Sequence, residues 1–256
     1  MTTAPTVLKI GGNELSNPDF VQRLARAVAR RVSQAPVVLV HGGGQSISAM
    51  LDRLGIQPRF VNGQRVTDED TLRVVEMILS GEINKLLTDA LLSAGVDALG
   101  LSGVDRDLIR VEPLDPTLGW VGRVVSVRAE VLAPLFQQQV VPVISPISRG
   151  PDGRYNVNAD NAAGAVAAAL DAESLTFLTN VPGVRANGSI MPLLTPSQVR
   201  ALIEDGTING GMIPKTQAAL AALGAGVHSA VITDLEGFEI GSGTRVVHHM
   251  DGEGLR

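Results

Sequence analysis

Apolar and polar residues follow two periods along this chain, and the two take turns. Short apolar runs at Thr6–Ile10, Val37–Val40, Val140–Ile144 and Ser174–Leu178 read as buried strands. Shorter or weaker strand patterns occur at Ala98–Leu101, Leu108–Val111, Val121–Val127, Ser229–Thr233 and Arg245–His248. Between them the spacing becomes helical. Asn17 caps and Pro18 opens the first helix, with Phe20, Val21, Leu24, Val28 and Val32 on one face. Further helices are predicted from about Ser46 and over Asp68–Ser80, Asn84–Ala94, Ala129–Gln138, Asp160–Leu170, Pro196–Asp205 and Met212–Leu223. This alternation predicts an α/β fold with a mainly parallel central sheet and right-handed crossovers. In such sheets ligands bind beyond the carboxyl ends of the strands. No repeat or low-complexity linker interrupts the order. A boundary is expected near Leu178, separating residues 1–178 from residues 179–256.

Composition narrows the function classes. The chain has 256 residues, enough for one large domain or two modest ones. A net charge of −5 and an aromatic content of 3% speak against nucleic-acid binding, which needs a basic face or stacking platforms. Cysteine is absent, so thiolate catalysis and Cys-ligated zinc are excluded. No stretch reaches the roughly 18 apolar residues of a membrane span, and the opening MTTAPTVLKIGG is not a secretory signal, so a cytoplasmic location is expected.

Chemistry concentrates in the loops after strands. Gly11-Gly12 and Gly42-Gly43-Gly44 each follow a strand and precede a helix. Such loops turn backbone N–H groups towards an anion, and the following helix start adds partial positive charge; a single loop of this kind is equally well a tight turn. There is no G-x-x-x-x-G-K-[ST] and no G-x-G-x-x-G after the first strand. His41-Gly42-Gly43-Gly44 is also the pattern of an esterase oxyanion loop, but Gly100-Leu101-Ser102-Gly103-Val104 lacks the last glycine of a nucleophile elbow.

Lysine occurs only at 9, 85 and 215, against 18 arginines. Lys9 sits inside an apolar strand, where an ammonium group needs a partner or ligand. Lys215 follows Asn209-Gly210-Gly211-Met212-Ile213-Pro214 at a helix start, whereas Lys85 reads as a surface residue. Two ammonium groups converging on one anion suit phosphoryl transfer. Asp160, in Asn156-Val157-Asn158-Ala159-Asp160, either counters a helix dipole or holds both lysines. Arg65, in a glycine-containing loop, either clamps a carboxylate or is solvated. The four histidines show no metal-ligand spacing; His41 is expected to pack at the end of its strand.

Taken in order, LKIGG (Leu8–Gly12), VHGGG (Val40–Gly44), NGQRVTD (Asn62–Asp68), VEMILSGEINK (Val75–Lys85), GLSGVD (Gly100–Asp105), NVNAD (Asn156–Asp160), LTNVPGV (Leu178–Val184) and NGGMIPK (Asn209–Lys215) resemble the acetylglutamate kinases of the amino acid kinase family. That resemblance implies a three-layer αβα sandwich that phosphorylates N-acetyl-L-glutamate with ATP and Mg2+ in arginine biosynthesis, the metal being carried by the nucleotide. It implies Lys9 and Lys215 as transition-state stabilisers with Asp160 as their organiser. Gly43, Gly44, Arg65, Asn156 and Asn158 would bind acetylglutamate. Gly11, Gly12, Asn180, Val181, Pro182, Gly183, Val184, Arg185, Thr207, Ile208 and Asn209 would meet ATP. Residues 1–178 would then bind acetylglutamate and dimerise, and 179–256 would bind ATP. Two departures are specific. Asn180 stands where many members have aspartate. The chain begins almost at its first strand, whereas arginine-regulated members carry an extra N-terminal helix; this implies a homodimer not inhibited by arginine. Two other readings are a kinase of carrier-linked aminoadipate or glutamate in lysine biosynthesis, and a non-catalytic metabolite sensor. Against the first, Arg106–Val121 is short and of mixed charge; against the second, both lysines and Asp160 are present.

Overall fold

The computed structural model describes residues 4–186 and 188–248. His249 and the rest of the C-terminal stretch lie outside them. The chain runs β1 (Thr6–Ile10), α1 (Pro18–Val32), β2 (Val37–His41), α2 (Gly44–Arg53), β3 (Phe60–Val61) and β4 (Gln64–Arg65). Then come α3 (Glu69–Glu76), a π-helical turn over Met77–Ile83, α4 (Asn84–Ser93), β5 (Ala98–Ser102), β6 (Ile109–Pro113) and β7 (Gly122–Val127). The middle continues through α5 (Ala133–Gln137), β8 (Val141–Ser145), β9 (Ile147–Gly150), β10 (Gly153–Asn156), α6 (Ala159–Ala169) and β11 (Ser174–Leu178). The remainder is β12 (Arg185–Ala186), β13 (Ser189–Ile190), β14 (Leu193–Leu194), α7 (Pro196–Glu204), α8 (Met212–Gly224), β15 (Ser229–Thr233), α9 (Leu235–Ile240) and β16 (Thr244–Val247).

Eight strands form the central sheet in the order β14-β16-β15-β11-β1-β2-β8-β5. From β15 to β5 every neighbour pair is parallel; β16 runs antiparallel to β15, and β14 follows β16. Period-2 alternation splits the side chains between two cores. Val7, Val38, Val40, Leu175, Phe177 and Ala230 meet α6 and α8 on one face. Leu8, Ile10, Val37, Leu39, Val143 and Leu178 meet α1, α2, α4 and α9 on the other. The result is the expected three-layer αβα sandwich. A four-stranded sheet, β10-β9-β6-β7, joins the core on the α6 side. The residue 178 boundary falls at the end of β11, and the central sheet continues across it.

Several local expectations are corrected. Helices predicted separately at Asp68–Ser80 and Asn84–Ala94 are one run joined by the π-helical turn, in which the Asn84 N–H reaches the Leu79 carbonyl. The predicted helix Ala129–Gln138 is a 3-10 turn over Ala129–Val131 followed by five-residue α5. Pro134 cannot donate a backbone bond and is tolerated only in a first turn, so the helix restarts around it.

His41 is fully buried at the end of β2. Its Nδ1 lies 3.2 Å from the Gly42 carbonyl, and its Nε2 lies 3.3 Å from the side-chain amide of buried Asn84. That amide also donates to the carbonyls of Val143 (2.8 Å) and Leu101 (3.2 Å), while Lys85 donates to its oxygen (3.0 Å). Burial pushes the His41 pKa down to about 4 from 6.5. The folded chain therefore binds fewer protons than the unfolded one between those values, and this histidine's contribution falls as pH drops through that window. In urea unfolding, acidification from pH 7 to pH 5 is expected to cost wild type about 2 kcal/mol more than it costs His41→Gln. Equal losses would contradict a neutral buried imidazole.

Candidate active site

The site begins with two glycine turns in direct contact. Gly11-Gly12 ends β1, and Gly42–Gly44 leads from β2 into α2. A Cβ on Gly12 would lie 2.6 Å from the Gly43 Cα and 2.7 Å from its nitrogen. A Cβ on Gly43 would collide with Ile83 and Leu79 of the π-helical turn. The Gly42 N–H donates to the Ile10 carbonyl at 3.0 Å, which pins one turn to the other. Only glycine allows this approach of backbone to backbone.

Lys9 shares a face of β1 with Val7 and points towards α6. Its Nζ lies 2.8 Å from Oδ1 of Asp160 in the first turn of α6. Asn158 fixes that turn: its side chain accepts from the N–H groups of Asp160 (2.8 Å) and Asn161 (3.2 Å) as the N-cap. Two cavities meet at this ion pair. One, of about 240 Å³, opens over the turn after β2; the other, of about 270 Å³, opens between β1 and β11. Both are lined by Lys9, Gly12 and Asp160.

The first cavity is walled by Gly42–Gly44, Arg65, Asn156 and Asn158, with apolar contributions from Ile47, Phe60, Leu79, Val121 and Pro146. The β3–β4 hairpin turns at Asn62-Gly63 (φ 50° and 77°) and carries Arg65 inward. One guanidinium nitrogen, Nη2, donates to the Gly44 carbonyl (3.0 Å) and the Ser48 hydroxyl (2.8 Å). The group also stacks 4.8 Å from the Phe60 ring centre. The other nitrogen, Nη1, is buried and has no partner among the described residues. Burial lowers the Arg65 pKa from its ordinary value. A buried donor left unsatisfied costs about 1–3 kcal/mol, more when charged, and a carboxylate in the cavity would relieve it. Asn156 donates to the Thr67 hydroxyl at 3.2 Å.

The second cavity occupies the switch point of the sheet, where the chain leaves β1 for β2 on one side and β11 lies on the other. Gly11, Gly12, Asn13, Glu14, Thr179, Asn180, Gly211, Pro214 and Lys215 line it with Lys9 and Asp160. Lys9 and Lys215, from distant parts of the sequence, thus face one cleft. Asp160 holds Lys9, but Lys215 donates to the Asn180 side-chain oxygen at 3.3 Å. Of the other residues the sequence pointed to, Val181–Arg185 and Thr207–Asn209 do not border the cleft. Val184 and Ile208 are core residues, and the Val184 N–H is taken by Thr244 at 2.8 Å. Asn13, Glu14 and Phe60 are site residues outside the sequence motifs, and Thr179 lies within one, LTNVPGV, without having been given a role. Asn13 and Glu14 directly follow LKIGG, and the Asn62-Gly63 dipeptide was the available signal for the hairpin that carries Phe60.

The pattern of the Amino acid kinase family matches residues 4–234, and the chain belongs to that family. Among its relatives, an acetylglutamate kinase of Roseiflexus sp. (strain RS-1) is 54% identical over 244 residues, 94% of this chain and 92% of that protein. An acetylglutamate kinase of Chloroflexus aurantiacus (strain ATCC 29366 / DSM 635 / J-10-fl) is 48% identical, covering 97% and 98%. The structure of smu.665 from Streptococcus mutans UA159 superposes with a TM-score of 0.82 at 30% identity, covering 96% of this chain and 99% of that one. Giardia carbamate kinase shares the fold at a TM-score of 0.70 and 18% identity, covering 97% and 100%.

Gly12→Ala tests the contact between the turns. Turnover is expected to fall about 100-fold, because the added methyl must push Lys9 and the second turn apart. Gly44→Ala, whose Cβ would meet nothing within 4 Å, is expected to melt like wild type. Unchanged turnover in Gly12→Ala would show that the contact does not set the site.

Proposed function

We propose that the chain transfers the γ-phosphoryl group of ATP to the side-chain carboxylate of N-acetyl-L-glutamate, giving N-acetyl-L-glutamyl 5-phosphate and ADP in arginine biosynthesis. The observation that carries this reading is the Lys9–Asp160 pair on the border shared by two cavities. The acceptor occupies the cavity with Arg65, and ATP occupies the cleft at the sheet's switch point. Relatives at 48% and 54% identity over nearly the whole chain carry the name acetylglutamate kinase, which favours the free amino acid derivative over a carrier-linked one.

The acceptor carboxylate is already an ionised nucleophile, so no general base and no covalent enzyme intermediate are needed. The Arg65 Nη1 takes the α-carboxylate, and the N-acyl group packs on the apolar walls. Gly43, Gly44, Asn156 and Asn158 complete the acceptor site. This leaves the side-chain carboxylate directed at Lys9. Attack in line on the γ-phosphorus spreads negative charge over the transferring oxygens, and Lys9, Lys215 and the N–H groups of the glycine turns meet it. Asp160 keeps the Lys9 ammonium fixed between donor and acceptor, so alignment requires no rearrangement during transfer. Gly11, Gly12 and Asn180 meet the nucleotide in the cleft. Val181–Arg185 and Thr207–Asn209 would meet only those parts of the nucleotide that extend past the cleft. Val184 and Ile208, buried with their N–H groups bonded within the protein, would support these stretches rather than touch the ligand. Residues 1–178 supply the acceptor site and share the lining of the nucleotide cleft with 179–256.

Mg2+ is proposed to arrive on the triphosphate. Among the described residues no group of three or more His, Cys, Asp or Glu gathers to hold an ion, whereas Glu14 and Asp160 line the cleft where phosphates would lie. When bound, it neutralises charge on the β- and γ-oxygens. The chain is further proposed to work in the cytoplasm; no helix among the described residues is long and apolar enough to cross a membrane.

A homodimer is proposed through the open edge of the sheet. β5 ends the sheet with Leu99 exposed, and Leu92 of α4, which packs on β5, is exposed too. An unpaired strand edge bearing apolar side chains is a pairing surface. Leu99→Lys is expected to convert a sedimenting dimer to monomer; a wild-type monomer would contradict this arrangement.

With ATP and acetylglutamate, hydroxylamine is expected to trap a hydroxamate at a rate far above that with glutamate or aspartate. Lys9→Ala and Lys215→Ala are expected to lower kcat by about 1,000-fold without unfolding. Arg65→Lys is expected to raise KM for acetylglutamate by about 10-fold or more. Near-normal turnover in both lysine variants would remove the mechanism.

A further inference from the structure

We propose that Asn180 is the positioning residue for Lys215: its amide oxygen aims the ammonium group across the cleft without discharging it. This rests on the kinase reading and adds a role for Asn180 beyond nucleotide contact. The two lysines of the cleft are held in opposite ways. Lys9 is paired with a carboxylate at 2.8 Å, so its positive charge is largely balanced before any ligand enters. Lys215 has no carboxylate partner among the described residues; its hydrogen bond goes to a neutral amide at 3.3 Å.

Local structure makes this contrast sharper. Lys215 is the fourth residue of α8, whose first turn contains no acidic residue and whose N-cap, Gly211, supplies no side-chain hydrogen bond. A cation near a helix N-terminus is placed against the helix dipole. Although Glu14 and Asp160 also line the cleft, neither is bonded to Lys215, so the ammonium group and the first turn together form a positive end that an anion would relieve.

Asn180 can aim Lys215 because its own backbone is fixed. The Thr179 N–H donates to the Thr233 carbonyl at 2.8 Å, anchoring the end of β11 to β15. The Thr179 hydroxyl accepts from the Val181 N–H at 3.1 Å, closing the turn around Asn180. Asn180 does not line the cavity that holds Arg65, so its effect should appear on the nucleotide side alone.

The test is a double-mutant cycle read by calorimetric binding of AMP-PNP with magnesium, with steady-state kinetics in parallel. Asn180→Ala is expected to weaken AMP-PNP binding about 5-fold and to lower kcat about 10-fold, with KM for acetylglutamate unchanged. In a Lys215→Ala background the same substitution is expected to weaken AMP-PNP binding less than 2-fold, so that most of the wild-type loss disappears with the lysine. An equal loss in both backgrounds would mean that Asn180 acts only through its own contact with the nucleotide and not through Lys215, which overturns the proposal. No loss in either background, in proteins that melt like wild type, overturns it too. If wild type failed to make an acyl phosphate from acetylglutamate, the functional reading would fall while the binding cycle stayed readable.

Discussion

A lysine inside a parallel strand is the constraint on which this architecture turns. Lys9 carries its charge into the layer between β1 and α6, where an isolated ammonium group would be strongly disfavoured. Asp160 answers it at 2.8 Å, and can do so only because Asn158 caps α6 and starts that helix beside the end of β1. The α6 face that follows is built of alanine, with Ala162, Ala163, Val166 and Ala167 buried, which lets the helix lie close to the sheet. A half-buried ion pair is weak evidence for stability, since desolvation and solvent screening offset much of its attraction. Its position between two cavities is what the proposed transfer uses.

The two cavities divide the chemical work by their polar inventory. On one side is a guanidinium with one satisfied and one orphaned nitrogen, backed by an aromatic ring and apolar walls. That combination suits a carboxylate attached to a small acyl amide. On the other side is a cleft with two lysines, glycine turns and the first turn of α8, at the place where strand order reverses. That combination suits a chain of phosphates. Neither half catalyses by itself. In the proposed transfer their shared border does, because a group passing from one cavity to the other would meet the same ammonium throughout.

Much of this was legible in the sequence, for identifiable reasons. The parallel strands β1, β2, β8 and β11 are buried on both faces, so their apolar runs stand out without any period. The glycine turns declared themselves by following those runs, and Lys9 by interrupting one. What stayed hidden depends on backbone geometry or on distant partners. The π-helical turn breaks the 3.6-residue period at Gly81 and so reads as a gap between helices. β9 and β10 are four residues each and are bracketed by Pro146, Gly150 and Gly153, which read as loop. Whether Asp160 or Asn180 holds Lys215 depends on where α8 docks against β11, and spacing in the sequence carries no information on that. For the same reason the orphaned nitrogen of Arg65 could only be found in three dimensions.

A single direct transfer across the Lys9–Asp160 border, with no stop on the protein, is the central claim. The stereochemistry at phosphorus measures that most directly. With ATP made chiral at the γ-phosphorus by isotopic and sulfur substitution, one in-line displacement should yield acyl phosphate of inverted configuration. Retention would require two displacements and a phosphorylated protein group between them, and would contradict direct passage across the shared border.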